Sequence, residues 1–371
     1  MKKGNGALII ILILLIVAAV LSIFVFKLFE KKPVTIGAIL PFTGTAANSG
    51  QNVRDGLNLA LEEVNSQGGI GGRKIELIFQ DSKTDPEAAK RVFEEMEKNN
   101  RPDLYLSILS PIVIALSTLA EKNQVPLISP LVTGSNQAII EGKKWTFRTC
   151  APADVEVSTM ITILNQKGIK KAGIIYQNDP MGQTIKEPFQ SAFTRQGGTV
   201  SAESYEPNTT DFKPQISKLS SMEAIYLAGL PVYLGQIIKQ LRETKYQGLI
   251  TAVSAAAHPS INNLPEANGV YIAAQLCYNP DFSIANKVKE KYESKYNKPF
   301  DHEAGYGYDL IRLLAGLLEN KEISRAGIRD VLEGGFTYSG IFGNLNIQKG
   351  SHDLSPLLYP AQIINGELRF E

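Results

Sequence analysis

The three histidines of this chain, His258, His302 and His352, are the residue type best suited to acid–base or metal chemistry near neutral pH. They are far apart in the sequence, and none stands in the two-histidine spacing of a metal site or beside a pair of cysteines. We therefore predict surface or helix-capping roles for them, with no metal site and no catalytic histidine.

A pair of carboxylates and a glycine-rich segment are the next candidates for chemistry. Asp81 and Asp85 have the spacing of an acid–base pair, but Asp81 should end a strand and Asp85 should cap a helix that begins at Pro86. The glycines at positions 68, 69, 71 and 72 follow a predicted helix and precede a predicted strand, the reverse of the order in a phosphate-binding loop. Both features are therefore predicted to be structural.

Nucleophilic residues show no catalytic setting. No serine stands in a Gly-x-Ser-x-Gly elbow, and neither Cys150 nor Cys277 is flanked by a plausible base. Two cysteines are also too few for a disulfide scaffold or a four-cysteine metal site. We predict that this protein is not an enzyme and binds no cofactor.

The composition describes a folded protein with room for two domains, with 371 residues, 44% hydrophobic and 20% charged. The net charge of +1 conceals an asymmetry, because residues 1–33 hold five lysines against one glutamate. The remaining residues hold 33 basic against 36 acidic side chains, with no basic run. Such a body does not suit nucleic acid as a partner.

Residues 7–26 form an uncharged, almost wholly apolar run of 20 residues. As a helix this run would be about 30 Å long, the thickness of the hydrocarbon core of a bilayer. The one small-residue cleavage candidate, Val17-Ala18-Ala19, would leave apolar residues exposed, and no cysteine follows the run for lipid attachment. We predict that residues 1–33 are an uncleaved transmembrane anchor; a cleaved signal is the alternative.

After this segment, apolar runs alternate with helical patterns, which predicts parallel sheets covered by helices on both faces. Two sheets suit this length better than one. The pattern breaks near residues 145–152 and 276–280, and the tail at 338–347 and 359–370 reads as β structure again. The predicted strands are 34–40, 74–80, 104–109, 126–129, 172–176, 199–205, 224–228, 249–253 and 270–275.

Residues 34–86 carry the most specific pattern: a strand, a Pro-Phe-Thr-Gly turn, a helix, a glycine-rich break and a second strand, which indicates a right-handed parallel crossover. The chain resembles leucine/isoleucine/valine-type solute-binding proteins, which have the type I periplasmic-binding-protein fold. The resemblance covers residues 34–371. Its motifs include Thr43-Gly44, Gly68-Gly69-Ile70-x-Gly72-Arg73-Lys74, Asp81-x-x-x-Asp85-Pro86, Pro126-Leu127-Ile128-Ser129-Pro130, Phe147-Arg148-Thr149, Asp211-Phe212 and Gly235-Gln236-Ile237.

The resemblance implies an α/β protein with two doubly wound parallel-sheet lobes joined by a three-segment hinge. Lobe 1 would comprise residues 34–149 and 278–357, and lobe 2 residues 150–277 and 358–371. Cys150 and Cys277 would then fall at crossovers between the lobes. Either they are neighbours at the hinge or they are two unrelated buried thiols.

The resemblance also places a ligand between the lobes, near Ser110, Leu131 and Thr133 of lobe 1 and Met181, Leu230 and Ser254 of lobe 2. Several of these residues differ from the family pattern. Ser254 stands where amino-acid binders have an acid for the ligand ammonium. Three positions that are usually aromatic are occupied by Ser49, Met181 and Leu230. Pro111 and Ile112 lack the hydroxyls of the family's turn.

A buried ammonium without a paired acid costs several kcal/mol, so these differences favour a less polar, amine-free ligand such as a branched or aromatic carboxylate. Glu303 is an alternative acid, and a cleft that has lost small-molecule binding is a further alternative.

The expected function is therefore that of an extracytoplasmic solute-binding protein on the bacterial cell membrane. It would capture a small organic solute, amino acid-like or an apolar carboxylate, for an ABC-type importer whose permease is its membrane partner. The alternative is a membrane-tethered sensing or interaction module that presents its closed form to a partner receptor. If the N-terminal segment is cleaved, the protein would be periplasmic or secreted.

Overall fold

The computed structural model describes residues 31–132, 134 and 136–371 of the chain. The strands are β1 (Val34–Leu40), β2 (Ile75–Asp81), β3 (Leu104–Ile108), β4 (Leu127–Leu131), β5 (Thr146–Arg148), β6 (Lys171–Gln177), β7 (Thr199–Tyr205), β8 (Ala224–Ala228), β9 (Leu249–Ala252), β10 (Tyr271–Ala274), β11 (Phe336–Gly340), β12 (Gly343–Ile347), β13 (Tyr359–Ile364) and β14 (Glu367–Phe370).

The helices include several that begin with proline, whose fixed φ suits the first helical turn. They are α1 (Ala47–Ser66), α2 (Pro86–Asn99), α3 (Ser110–Asn123), α4 (Asn136–Ile139), α5 (Ala153–Gln166), α6 (Pro180–Arg195), α7 (Lys213–Lys218), α8 (Pro231–Glu243), α9 (Pro259–Asn262), α10 (Ser283–Tyr296), α11 (His302–Leu318) and α12 (Arg325–Glu333). Short 3₁₀ helices span Ser254–Ala257, Pro265–Ala267 and Leu276–Tyr278.

The first sheet is wholly parallel, with the strand order β2-β1-β3-β4-β5. Strand β1, which lies between β2 and β3, is apolar except for Thr35 and almost entirely buried, as expected of a strand covered by helices on both faces. In this sheet the carboxyl ends of β3 and β4 lie side by side, which places the residues that follow them at one edge.

The second sheet has seven strands in the order β14-β13-β10-β9-β8-β6-β7. The pairs from β7 to β10 are parallel, whereas β13 pairs antiparallel with both β10 and β14. A two-residue turn, Asn365-Gly366, joins β13 to β14, and both residues have positive φ as this type of hairpin requires. β11 and β12 form a separate antiparallel hairpin.

Two hydrophobic cores accompany the two large sheets. The first draws its buried residues from 34–150 and 277–354, and the second from 153–274 and 361–368. We call these two bodies lobe 1 and lobe 2. The chain passes between them three times, at residues 150–153, 274–278 and 353–361. Ala151, Ala273 and Leu358, which lie in or next to these three passages, pack together in a small cluster of their own.

The α/β fold with two largely parallel sheets confirms the fold class predicted from the sequence. The predicted division into residues 34–149 and 278–357 for lobe 1 and residues 150–277 and 358–371 for lobe 2 stays a prediction. The apolar run at 7–26, on which the predicted anchor at residues 1–33 depends, lies outside the described residues. Within the described part of the chain, no helix combines the length and apolar character needed to cross a membrane.

Candidate functional site

Asp81 and Asp85 have the structural roles that the sequence predicted. The Asp81 carboxylate, at the end of β2, accepts hydrogen bonds from the backbone N–H groups of Phe42, Thr43 and Lys83 and from the Thr43 hydroxyl. Although burial opposes the effect, these bonds lower the pKa of Asp81. Asp85 caps α2 by accepting from Ala88 N at 2.5 Å. Asp81 therefore fixes the turn after β1, and Asp85 fixes the start of α2.

Two of the predicted ligand residues meet at the edge of the lobe 1 sheet. Leu109 N donates to Leu131 O at 3.0 Å, and Ser110 follows Leu109 as the first residue of α3. The Ser110 hydroxyl accepts from Gly134 N at 3.2 Å, so it also holds the loop that follows β4. Thr133, the third predicted residue of this lobe, lies outside the described residues.

The three predicted residues of lobe 2 follow three neighbouring strands. Met181, in the first turn of α6, comes after β6; Leu230, which precedes α8, comes after β8; and Ser254 comes after β9. Because these strands are adjacent and parallel, the structure brings the three residues to one edge of the sheet. Leu230 is 47% exposed, which is unusual for a leucine and leaves it available for contact.

A cavity of about 690 Å³ lies between the two lobes. Its lobe 1 side consists of residues from α1 and from the start of α11, and its lobe 2 side of residues from α8 and from 255–264. Of the six predicted site residues, Leu230 lines it, together with Ser49 and Glu303, which the sequence had also singled out. The lining residues are Asn48, Ser49, Asn52, Leu230, Pro231, Val232, Gly235, Gln236, Lys239, Ala255, His258, Ser260, Ile261, Leu264, Asp301, His302 and Glu303.

Hydrogen-bonded polar side chains form the lobe 1 wall of this cavity. The Ser49 hydroxyl donates to Glu303 Oε1 at 2.7 Å, and Asn52 Nδ2 donates to Asp301 Oδ2 at 2.6 Å and to Glu303 Oε2 at 3.1 Å. Burial, and then the neighbouring Glu303 carboxylate, raise the pKa of Asp301 to about 7. Asn52 and Asp301 were not predicted as site residues, since Asp301 reads in sequence as an ordinary helix cap, a role it also has toward Ala304 N.

The histidines take three different roles. His258 caps α9 by accepting from Ser260 N, as predicted, and lines the interlobe cavity. His302 differs from the prediction, because its ring is engaged with the Tyr278 hydroxyl, 3.0 Å from its Nδ1. His352 stacks on Phe147. Among the described residues, no group of histidine, cysteine or acidic side chains is arranged to hold a metal ion.

A buried carboxylate lies behind the lobe 2 edge of the cleft. Glu156, in the first turn of α5, is only 6% exposed, and its Oε1 accepts a hydrogen bond from Ser254 N. Burial raises the pKa of Glu156 to about 7, against hydrogen bonds from the Ser254 N–H and hydroxyl that lower it. The sequence alone does not predict this contact, because acidic residues are common in the first turn of a helix, where they interact favourably with the helix dipole.

Both cysteines are free and buried, in the first two passages between the lobes. The Cys150 thiol donates to Val132 O at 3.0 Å and accepts from Val132 N at 2.9 Å, which ties the first passage to the loop after β4. Burial raises the pKa of Tyr306 well above its ordinary value, and the nearby thiols of Cys150 and Cys277 add to this effect. That Cys150 and Cys277 are neighbours at the hinge stays a prediction.

Arg148 is a further residue that the sequence did not assign to the site. Its fully buried guanidinium forms an ion pair with Asp353 and donates to Gly134 O at 2.8 Å. It thereby connects β5, the third passage and the loop after β4. The motif Phe147-Arg148-Thr149 marked this position in the sequence without indicating its partners.

Comparison with known proteins gives a consistent result. The family described as "Periplasmic binding protein" matches residues 33–367. A Leu/Ile/Val-binding protein homolog 3 from Brucella melitensis is 27% identical over 221 residues, covering 58% of this chain and 60% of the relative. The chain thus matches less than two thirds of the length of this curated relative.

Two solved structures show the similarity of fold. The branched-chain amino acid transporter substrate-binding protein LivJ from Streptococcus pneumoniae, in complex with isoleucine, superposes with a TM-score of 0.77 at 21% identity, covering 91% of this chain and 100% of that one. A solute-binding protein of an ABC transporter from Rhodopseudomonas palustris, in complex with 3,4-dihydroxybenzoic acid, gives a TM-score of 0.78 at 21% identity, covering 91% of this chain and 95% of that one.

Proposed function

Because this chain belongs to the periplasmic binding protein family, we propose that it is an extracytoplasmic solute-binding protein that captures a small organic solute for an ABC-type importer. The observation that carries this proposal is the cavity of about 690 Å³ between the lobes. It has the size of a small-molecule site and combines apolar walls with a few converging polar groups. The protein performs no chemistry on the solute.

The solute is held by residues at the facing edges of the two sheets. Ser110, Leu131 and Thr133 contact it from lobe 1, and Met181, Leu230 and Ser254 contact it from lobe 2. Lobe 1 comprises residues 34–149 and 278–357, and lobe 2 comprises residues 150–277 and 358–371. Bending of the three passages closes the lobes and excludes water from the solute.

The apolar groups at the cleft indicate the class of solute. Leu230 and Val232 are 47% and 59% exposed at the lobe 2 side of the cavity, and no acidic side chain stands at position 254. The relative from Brucella melitensis is named for leucine, isoleucine and valine, one structural neighbour holds isoleucine, and another holds an aromatic carboxylate. The exposed apolar side chains and the missing acid at position 254 are the grounds for preferring a branched or aromatic carboxylate, since the relative's name and the isoleucine held by LivJ point instead to an amino acid.

Residues 1–33 hold the protein at the extracytoplasmic face of the bacterial membrane, where the permease of the importer is its partner. The apolar run at 7–26 supports this placement. Cell fractionation tests it, since an anchored protein stays with the membrane after a high-salt wash. Recovery of a shortened chain in the soluble fraction would instead indicate a cleaved signal.

A thermal-shift screen of the full chain in mild detergent tests the function. The probes are leucine, isoleucine and valine, their 2-oxo and 2-hydroxy analogues, and 3,4-dihydroxybenzoate. A solute at 100 times its dissociation constant stabilises the protein by about 2.7 kcal/mol, a readable rise in Tm. We expect the amine-free acids to raise Tm. A strong response to amino acids alone would contradict the proposed solute class, and no response to any probe would contradict solute binding of this kind.

A further inference from the structure

Two walls of opposite charge face each other across the interlobe cavity. The lobe 1 wall presents the carboxyl groups of Asp301 and Glu303, whereas Lys239, the only lysine or arginine among the residues that line the cavity, belongs to lobe 2. Burial lowers the pKa of both His258 and His302, so these imidazoles are uncharged at pH 7.5. The cavity therefore has hydrogen-bond acceptors on one side and a single cation on the other.

Glu303 is the acceptor that a solute can reach. Its Oε1 accepts from the Ser49 hydroxyl at 2.7 Å and its Oε2 from Asn52 Nδ2 at 3.1 Å, and these two bonds fix the position of the carboxylate. Lys298 Nζ donates to Asn52 Oδ1 at 2.8 Å, which leaves the Nδ2 group of that amide to face the acids. A carboxylate has about four acceptor sites, so the half-buried Glu303 keeps about two for donors in the cavity.

Lys239 lies on the face of α8 that lines the cavity. Val232, Gln236 and Lys239 are spaced i, i+4 and i+7, so they share one side of the helix, with the apolar residue at its start and the cation about 10 Å further along. Lys239 is exposed and, within the described residues, takes part in no ion pair. An anionic group in the cavity would therefore find its counter-charge at Lys239, with Leu230 and Val232 beside the apolar part of the same molecule.

Building on the function proposed above, we propose that Lys239 binds the solute carboxylate and that Glu303 accepts hydrogen bonds from hydroxyl groups at the opposite end of the solute. The solute is then a hydroxylated carboxylate with an apolar body between its two polar ends. A standard α-amino acid does not fit this arrangement, because its ammonium lies next to its carboxylate and would be repelled by Lys239. Since Lys239 and Glu303 belong to different lobes, one solute that contacts both holds the lobes together.

Three aromatic probes separate the two contacts. 3,4-Dihydroxybenzoate has both polar ends, 3,4-dihydroxybenzamide lacks the negative charge, and benzoate lacks the hydroxyl groups. Isothermal titration of the full chain in mild detergent at pH 7.5 compares their dissociation constants. We expect 3,4-dihydroxybenzoate to bind at least about tenfold more tightly than either of the other two, the scale of a hydrogen bond to a charged group.

Two variants should each remove one preference and spare the other. Lys239→Met should abolish the preference for the acid over the amide and keep the preference for the hydroxylated acid over benzoate. Glu303→Met should do the reverse, because it removes the acceptor for the hydroxyl groups and leaves the cation in place. Lys170→Met, which removes an exposed lysine of lobe 2 that does not line the cavity, is the matched control and should leave both preferences unchanged.

A direct ion pair between Lys239 and Glu303 across the cleft would give a different result. Each variant would then change the affinity for all three probes by the same factor, which overturns the inference and leaves solute binding intact. Equal affinities of the natural protein for benzoate and 3,4-dihydroxybenzoate overturn it as well. If these probes fail to bind while branched acids raise Tm in the thermal-shift screen, the inference is wrong and the proposed function stands. If no probe binds in either experiment, both are contradicted.

Discussion

The guanidinium of Arg148 and the carboxylate of Asp353 form an ion pair, with 2.6 Å between Nη2 and Oδ2, although 205 residues separate them in the sequence. Backbone hydrogen bonds from Arg148 N to His352 O at 3.0 Å and from Leu354 N to Arg148 O at 2.7 Å run beside it. Since Arg148 also donates to Gly134 O, the pair joins the third passage between the lobes to the loop that follows β4.

Arg148→Met should therefore destabilise the protein strongly. The change leaves the partly buried Asp353 carboxylate and Gly134 carbonyl without their partner, and breaking a buried pair in this way costs up to about 3–5 kcal/mol. Urea unfolding of the full chain measures the loss. Lys213→Met, which removes the cation of an exposed pair with Glu243, is the control and should cost less than about 1 kcal/mol. Similar losses in the two variants would contradict the structural role of Arg148.

Local patterns were enough to predict the framework that holds this pair. Strand β1 follows from a continuous apolar run, and the Asp85 cap from an acid placed before a proline. The partners of Arg148 and Glu156 could not be predicted, because each depends on how distant segments meet once the sheets have formed. Leu230 was found only through resemblance to a family, since an exposed leucine has no signal of its own in a sequence.

Gly340 is a second position where the packing makes a clear prediction. A Cβ atom there would lie 2.3 Å from Asp309 Oδ2 and 2.4 Å from Oδ1, and that carboxylate accepts hydrogen bonds from the Tyr338 hydroxyl and from Ile341 N. We expect Gly340→Ala to cost about 1–3 kcal/mol, as overpacking of a buried site does. The measurement is again the free energy of unfolding in urea.

Gly316, in the last turn of α11, is the matched control for this substitution. No atom lies within 4 Å of a Cβ built there, so Gly316→Ala adds a methyl group without a clash. It should stabilise the protein by up to about 1 kcal/mol through helix propensity. If both alanine variants lost stability equally, the close approach of the new methyl group to Asp309 would not be the cause of the loss in Gly340→Ala.

Glu156 makes the stability of the protein depend on pH. Burial raises its pKa from an ordinary 4.5 to about 7 in the folded state, so the folded protein holds this proton more tightly than the unfolded chain. The stabilisation that this provides is complete below pH 4.5 and is lost as the pH rises toward 7. A shift of this size corresponds to about 3 kcal/mol.

The variant Glu156→Gln should therefore lose less stability than the natural protein between pH 4.5 and pH 7.5, as measured by urea unfolding at both values. Part of the decrease in unfolding free energy with rising pH will remain in the variant, because burial also raises the pKa of Asp301 to about 7 and that of Asp309 to about 6. An equal loss of unfolding free energy in the variant and in the natural protein would show that folding does not raise the pKa of Glu156.

Tyr278 and His302 form a contact between the second passage and lobe 1. The Tyr278 hydroxyl accepts a hydrogen bond from His302 N at 2.8 Å and lies 3.0 Å from His302 Nδ1, while its side chain packs against the cores of both lobes. Tyr278→Phe keeps this packing but leaves the His302 N–H at the start of α11 without this partner. We expect a loss of about 1–3 kcal/mol.

The position of this contact predicts an effect beyond stability, because a bond at a passage restrains the angle between the lobes. Small-angle X-ray scattering of the solute-free protein should show a broader distribution of interatomic distances for Tyr278→Phe. Tyr296→Phe is the matched control, since the Tyr296 hydroxyl donates to Asp55 O at 2.9 Å within lobe 1 alone. It should cost about 1 kcal/mol and leave the scattering unchanged. Indistinguishable scattering from the two variants would mean that Tyr278 stabilises lobe 1 without restraining the hinge.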